Sequence, residues 1–149
     1  MELLIDLSIE LKSTCLFFID GLRLDISRKL GAKIKQQGFQ VEEETRWCAL
    51  PSVTATSKPA VSPISGQVSG GEVTEDFEPV VTATGRRLGS SPTPSSPFRK
   101  LLEEAGWEYL EGQATECSGS RAWCENKEID SAGHEDGCRL ARRMDEIIE

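Results

Sequence analysis

The feature that most constrains the fold is a short apolar run, Leu16 to Ile19, which ends abruptly in Asp20 and Gly21. A continuous run of this length, bounded by a turn signal, is typical of a strand buried in a parallel sheet. Apolar residues then recur at every fourth position from Ile26 to Ile34, which predicts a helix over Asp25–Gln37. The chain therefore begins its ordered part with a buried strand that ends in a carboxylate.

A second strand is predicted directly after this helix. Gly38 is a stop signal, Phe39 to Val41 begins a new apolar segment, and Trp47 to Leu50 continues it. The first fifty residues thus predict a strand, a helix and a strand, which is the βαβ unit of a parallel sheet. Because such crossovers are right-handed, we expect Leu16–Ile19 and a strand over 39–46 to be parallel neighbours.

The middle of the chain has a different composition. Pro, Ser, Thr and Gly dominate residues 51–97, and we expect a low-order stretch near 61–97 with one short strand over Val80–Thr84. Regular structure is then predicted in a helix over Phe98–Ala105 that ends at Gly106, strands within "GWEYLEG" and over Arg121–Trp123, and an amphipathic helix over Glu135–Glu149. Residues 1–13 are interpreted as an N-terminal extension of a domain that spans 14–149.

The net charge of −8 limits the possible partners. An acidic protein binds nucleic acid and anionic membranes poorly without clustered Lys and Arg, so nonspecific nucleic-acid binding is not expected. The N-terminal "MELLIDLSIEL" lacks the basic segment of a signal peptide, and no apolar run reaches the roughly 18 residues of a spanning helix. We therefore expect a cytoplasmic protein without membrane attachment. The five cysteines form no CxxC pair, which favours reduced structural thiols.

The first candidate site residue is Asp20. In an open α/β sheet, ligands bind beyond the carboxyl ends of the strands, and Asp20 directly follows such a strand. Gly21 permits a sharp turn there, so that the carboxylate can point into the crevice. Asp20 is then suited to hold a divalent metal, although Asp is also a common cap of a following helix.

The second candidate lies in "RWCALPSVTATSK", where Pro51 ends the predicted strand and three hydroxyl residues follow: Ser52, Thr54 and Thr56. A hydroxyl at a strand-to-helix junction can act as a nucleophile when a base or a metal lowers its pKa. Helix N-terminal amides nearby attract phosphate. The same residues also suit a plain helix cap, and the spacing alone leaves both interpretations open.

The third candidate lies in "EIDSAGHEDG", which contains the only histidine, His134. Asp130 precedes it by four positions, and Gly133 between them is expected to allow a tight turn. A carboxylate and an imidazole that converge on one point are a suitable pair of metal ligands. A lone histidine is also common as an ordinary surface residue.

The order of these three stretches resembles the alkaline phosphatase superfamily. Its pattern is an Asp-Gly after a first strand, a Pro-[Ser/Thr]-x-Thr after the second, and a later Asp-x-x-x-His. More narrowly, "FIDGLRLD", "ALPSVTATSK" and "EIDSAGHEDGCRLARRMDEI" are similar to the PglZ domain of bacterial phage-defence (BREX-type) systems. The resemblance covers roughly residues 14–149, and it is carried by the order and spacing of the motifs.

The resemblance implies a fold, a reaction and a cofactor. The fold would be α/β, a partial alkaline-phosphatase-like parallel sheet flanked by helices. The activity would be that of a metal-dependent phosphatase or phosphodiesterase with two divalent ions, usually zinc. Asp20 and Thr54 would ligate one metal, with Thr54 as the nucleophile, and Asp130 and His134 would ligate the second. Other phage-defence proteins and a phosphate ester would be its partners.

The sequence also departs from the family pattern. The family completes its site with a later Asp-His pair and one more His, whereas this sequence has a single His. Asp136 or Glu135 are further carboxylates, but no motif assigns them to the site. We therefore expect the N-terminal portion of the domain, truncated at its C-terminal end and weakly active or inactive alone. A non-catalytic remnant or scaffold component of a phage-defence complex is the alternative, and a small protein of unrelated class is a third interpretation.

Overall fold

The structure is a computed structural model that describes residues 4–6, 14–71, 77–89, 93, 95–110 and 119–136. Its strands are β1 (Leu4–Asp6), β2 (Thr14–Ile19), β3 (Val68–Ser69), β4 (Val80–Val81), β5 (Glu108–Leu110) and β6 (Arg121–Asn126). Its helices are α1 (Leu24–Gln36), α2 (Thr54–Val61), α3 (Pro97–Glu104) and α4 (Glu128–Asp136), with a short 3₁₀ turn at Ser65–Gln67. None of these helices in the described ranges is long and apolar enough to cross a membrane.

The main sheet has the strand order β1-β2-β6-β5. β5 runs parallel to β6, and β1 runs antiparallel to β2. The N–H of Thr14 donates to the carbonyl of Ser120 at 2.8 Å, and the N–H of Asp20 donates to the carbonyl of Asn126 at 2.9 Å. Because both strands advance in the same direction between these two bonds, β2 and β6 are parallel. The protein is therefore an α/β protein with a three-stranded parallel sheet flanked by helices.

The strand predicted over 39–46 is wrong, and with it the predicted βαβ unit in the first fifty residues. Residues 39–49 lie in neither a helix nor a strand, and the parallel neighbour of β2 is β6. Phe39 and Trp47 are exposed, as are the carboxylates of Glu42, Glu43 and Glu44 between them. A strand buried in a parallel sheet needs a nearly continuous apolar run, and three consecutive charges prevent that.

Most of the other predicted elements are confirmed. α1 occupies the predicted helix and buries Ile26, and β5 and β6 form at the predicted positions. α3 begins with an N-terminal cap that was not part of its prediction. The Ser96 hydroxyl accepts the N–H of Arg99 at 3.2 Å, and Pro97 follows as the first helical residue. It ends at Gly106 as predicted, where φ is +79°.

Two predictions need correction. The strand predicted over Val80–Thr84 is limited to Val80–Val81, because the chain turns at 82–84 and the N–H of Gly85 bonds back to the carbonyl of Val81 at 2.8 Å. The tight turn predicted at Gly133 is wrong, because Gly133 lies inside α4. Only residues 135 and 136 of the helix predicted over 135–149 are described, and residues 137–149 lie outside the described part of the chain.

The described chain divides into two compact units. One contains residues 19–47 and 126–136, and the other contains 4–6, 14–18 and the described residues of 48–125. Ile19 and Asn126, the last residues of β2 and β6, belong to the first unit, and the other described strand residues belong to the second.

One face of the sheet carries the core of the second unit. The rings of Phe18 and Trp123 stack with centroids 5.9 Å apart, and Phe98 of α3 meets Trp123 edge-on at 5.9 Å. Such aromatic pairs contribute roughly 0.5–1.5 kcal/mol each beyond their buried area. The other buried residues of this cluster are Leu16, Ile64, Val81, Leu88, Leu102 and Tyr109.

Candidate functional site

Asp20 lies immediately after β2, where the strand ends. The residue is buried, with 5% of its surface exposed, and its N–H continues the pairing to Asn126 at the end of β6. Gly21 follows with φ of +73°, a conformation that favours glycine. The sequence therefore places a buried carboxylate at the carboxyl edge of two paired parallel strands, where α/β proteins bind ligands.

The turn at Gly21 lies directly against the first turn of α4. A Cβ atom at Gly21 would lie 3.3 Å from both the Cα and the N of Asp130. Glycine is thus favoured by the close approach as well as by the positive φ. As a result, two of the predicted site residues, Asp20 and Asp130, belong to backbone segments in contact.

The start of α4 is set by its local sequence. The Asn126 side chain accepts the N–H of Glu128 at 3.0 Å, and the N–H of Ser131 bonds to the carbonyl of Lys127 at 2.9 Å. Glu128 and Asp130 lie in the first turn, where carboxylates interact favourably with the helix dipole. A carboxylate at position 130 is therefore also compatible with a purely structural role.

Asp130 and His134 lie one helical turn apart on α4. The Oδ1 atom of Asp130 and the Nε2 atom of His134 are 3.7 Å apart, and 82% of the His134 side chain is exposed. Two ligands that bind one ion tetrahedrally at about 2.0–2.2 Å lie about 3.3–3.6 Å apart. The two side chains therefore fit a shared divalent ion after a small adjustment, with the remaining positions open to solvent.

A complete metal centre is not formed by the described residues. Among them, no group of three or more His, Cys, Asp or Glu side chains is arranged to hold a metal ion. Asp25, a carboxylate near Asp20 in the sequence, is exposed and bonds Arg23 at 2.9 Å. Desolvation raises the pKa of the Asp25 carboxyl, but the hydrogen bond and charge of Arg23 outweigh it, and the pKa is lowered overall. Asp25 thus forms an ion pair with Arg23 at the surface.

Thr54 is the first residue of α2, in the second compact unit. Val53 before it is extended and makes no side-chain cap, so Thr54 and Thr56 lie inside the first turn and Ser52 precedes the helix. The Thr56 hydroxyl donates to the carbonyls of Pro51 and Val53. That engagement disfavours Thr56 as a nucleophile. Thr54 stays the candidate that the family pattern implies, and Ser52 is exposed. The proximity of Thr54 to Asp20 stays a prediction.

One buried group near Thr54 was missed from the sequence. Lys58, one turn after Thr54 on α2, lies with its Nζ atom 3.3 Å from Oε1 of Glu125 on β6. Their side chains are only 1% and 4% exposed. Glu125 also accepts the indole N–H of Trp123 at 3.0 Å, and the Lys58 ammonium lies 4.8 Å from the centre of the Phe98 ring.

This ion pair attaches α2 to the carboxyl-terminal end of β6. It thereby helps to position the helix that carries Thr54. No sequence signal would have found it, because a Lys in "TATSKPAV" is normally solvated and its partner lies 67 residues away. Only the packing of α2 on the sheet brings the two charges together.

Comparisons of the chain with protein-family models, curated proteins and solved structures find no match. The resemblance to the PglZ domain therefore depends on the three motifs and their order.

Proposed function

We propose that this chain is a PglZ-like protein of the alkaline phosphatase superfamily and carries residues of a metal-dependent phosphoester hydrolase site. One observation carries the proposal. Asp20 and the Asp130–His134 pair follow the carboxyl ends of two neighbouring parallel strands, and the turn after Asp20 contacts Asp130. Carboxylate and imidazole groups at that edge are the donor set of a divalent-metal site.

Each residue has a defined role in this proposal. Asp130 and His134 would hold one divalent ion, and Asp20 and Thr54 would hold the other, as the family pattern implies. A bound divalent ion lowers the pKa of a hydroxyl and offsets the charge that develops on phosphate oxygens. The Thr54 Oγ1 would bond to phosphorus as the bond to the leaving oxygen breaks, and the Thr54 proton would pass through solvent to that leaving oxygen. Water would then hydrolyse the phosphothreonine, which releases phosphate and restores the hydroxyl. The N-terminal amides of α2 would be suited to hold the phosphate oxygens.

The expected activity of the chain by itself is low. A catalytic zinc site usually has three protein ligands, whereas the residues named here offer two for each ion. A second candidate function, a non-catalytic scaffold component of a phage-defence complex, is favoured by the absence of a three-ligand cluster among the described residues. The hydrolase function predicts a metal-dependent turnover that requires Thr54, whereas the scaffold function predicts no turnover.

Metal binding is the first test. Mn²⁺ is the probe, because it binds cysteine thiols more weakly than zinc does. Titration calorimetry is expected to show weak Mn²⁺ binding by the native chain, and Asp130→Asn and His134→Ala should abolish that binding. Glu135→Gln, an exposed change on the same helix, is the matched control and should leave binding unchanged. Equal binding by all four proteins would refute the assignment of the metal ligands.

Turnover is the second test. Hydrolysis of an aryl phosphodiester and an aryl phosphomonoester is measured with added Zn²⁺, Mn²⁺ or Mg²⁺ for the native chain, Thr54→Ala, Thr54→Ser and Thr56→Ala. Any metal-dependent rate should disappear in Thr54→Ala and persist in Thr54→Ser and Thr56→Ala. A rate that survives in Thr54→Ala would remove Thr54 as nucleophile. Complete absence of turnover together with intact Mn²⁺ binding would favour the scaffold function.

A further inference from the structure

Two cysteines meet across the parallel sheet. Cys15 on β2 and Cys124 on β6 are 109 residues apart in the sequence, and their Sγ atoms are 3.6 Å apart. Both are half-buried, and neither forms a disulfide. Cys48 is the third cysteine among the described residues, and it is a free thiol outside this pair.

The sheet itself explains this contact. Side chains alternate between the two faces of a strand, and Leu16, Phe18 and Trp123 all belong to the core cluster on one face. Cys15 and Cys124, each adjacent in sequence to a residue of that cluster, therefore lie on the opposite face. Because β2 and β6 are hydrogen-bonded neighbours, the two thiols are held together by the backbone pairing of the strands.

We propose that Cys15 and Cys124 are a redox-modification site, which a peroxide converts into a cross-strand disulfide. One thiol loses its proton and the thiolate attacks a peroxide oxygen. The O–O bond breaks, a sulfenic acid forms, and the hydroxide that leaves takes up the lost proton to become water. The second thiolate attacks the sulfenic sulfur, the S–S bond forms, and the hydroxyl leaves as water after protonation. In total, two thiols and one hydrogen peroxide give one disulfide and two waters. The sulfurs are oxidised and the peroxide is reduced.

The geometry requires only a small movement. An S–S bond is about 2.05 Å long, so the sulfurs must approach each other by about 1.5 Å. Rotation about the Cα–Cβ bond of each cysteine can move its sulfur over such a distance, and neither side chain is fully buried. Formation of the bond is therefore expected to need mainly rotation of the two side chains.

The disulfide would link β2, which Asp20 follows, to β6, which ends at Asn126. It closes a loop of about a hundred residues, and such a crosslink restricts the unfolded chain strongly. Oxidation is therefore expected to raise the Tm by roughly 10 °C, and reduction should reverse the shift. This inference is independent of the proposed hydrolase function, because it uses neither a metal nor Thr54.

The test starts from the fully reduced native chain, treated with hydrogen peroxide and digested without reduction. Mass spectrometry is expected to find a linked pair of peptides that contain Cys15 and Cys124. Cys48→Ser should give the same linked pair and the same rise in Tm, whereas Cys15→Ser and Cys124→Ser should give neither. A disulfide that uses another cysteine, or oxidation of both thiols to separate acids, would overturn the proposal.

A second measurement covers the case in which a serine variant does not fold. A bifunctional thiol reagent that fluoresces only when both of its arms have reacted is added to the native, reduced chain. It should link Cys15 to Cys124, and prior treatment with peroxide should block that link. Independent labelling of the two cysteines by separate reagent molecules would contradict the contact itself.

Discussion

Replacement of Glu125 by Gln is expected to remove a large share of the stability of the protein. The Nζ atom of Lys58 lies 3.3 Å from one carboxylate oxygen of Glu125 and 3.4 Å from the other. A glutamine keeps the shape of the side chain and an oxygen that can accept the indole N–H of Trp123. The variant therefore removes the negative charge while the Lys58 ammonium stays buried.

The magnitude follows from the burial of this pair. Removal of one partner of a buried ion pair destabilises a protein by about 3–5 kcal/mol, because the other charge stays out of water. The Phe98 ring, 4.8 Å from the Lys58 ammonium, still gives that charge a cation–π contact in the variant. The loss is therefore expected at the lower end of this range, about 3 kcal/mol. A domain of this size has a total stability of about 5–15 kcal/mol.

Urea unfolding followed by tryptophan fluorescence measures this loss. With a slope of about 1–3 kcal/mol per molar urea, a loss of about 3 kcal/mol lowers the midpoint Cm by about 1–3 M. Glu44→Gln is the matched control, because Glu44 bonds Arg46 at 2.8 Å at the surface, and its Cm should not change. The double variant Lys58→Met/Glu125→Gln, which removes the buried charge and keeps the acceptor for the Trp123 indole N–H, should recover most of the stability. A Cm for Glu125→Gln equal to that of Glu44→Gln would refute the reasoning.

Two further substitutions test the backbone around the site and the core. Gly21→Ala should destabilise the protein by about 1–3 kcal/mol, because of the positive φ and because the new Cβ would lie 3.3 Å from Asp130. Gly38→Ala is the control, since Gly38 also has a positive φ, +92°, but has open space around it, and it should cost about 1 kcal/mol. Equal Cm values of the two variants in urea would argue against the contact at Gly21. Ser96→Ala should lower the free energy of unfolding by about 1 kcal/mol, because α3 loses its N-terminal cap. Ser95→Ala, a change at an exposed neighbouring residue, is the control and should not lower the Tm measurably. A Tm for Ser96→Ala equal to that of the control would argue against the cap.

Local signals in the sequence were enough to predict several elements. The four-residue period from Ile26 predicts α1, and the run that ends in Asp20 predicts β2, because helix faces and buried strands leave periodic patterns in their own residues. The same holds for α3, with its stop at Gly106, and for the strands β5 and β6. The position of Asp20 at a strand end also follows from the sequence. These features depend on neighbours in the chain.

Only the tertiary structure decided which segments pair. The strand predicted over 39–46 is an exposed segment without regular structure, and β2 instead pairs with β6, a hundred residues later. Pairing is a contact between distant segments, and an apolar pattern cannot state which partner will cover it. The same reason explains why the Lys58–Glu125 pair and the contact of Cys15 with Cys124 were not predicted. Each depends on how strands and helices pack, because a buried charge or thiol is recognisable only beside the group that it meets in the folded protein.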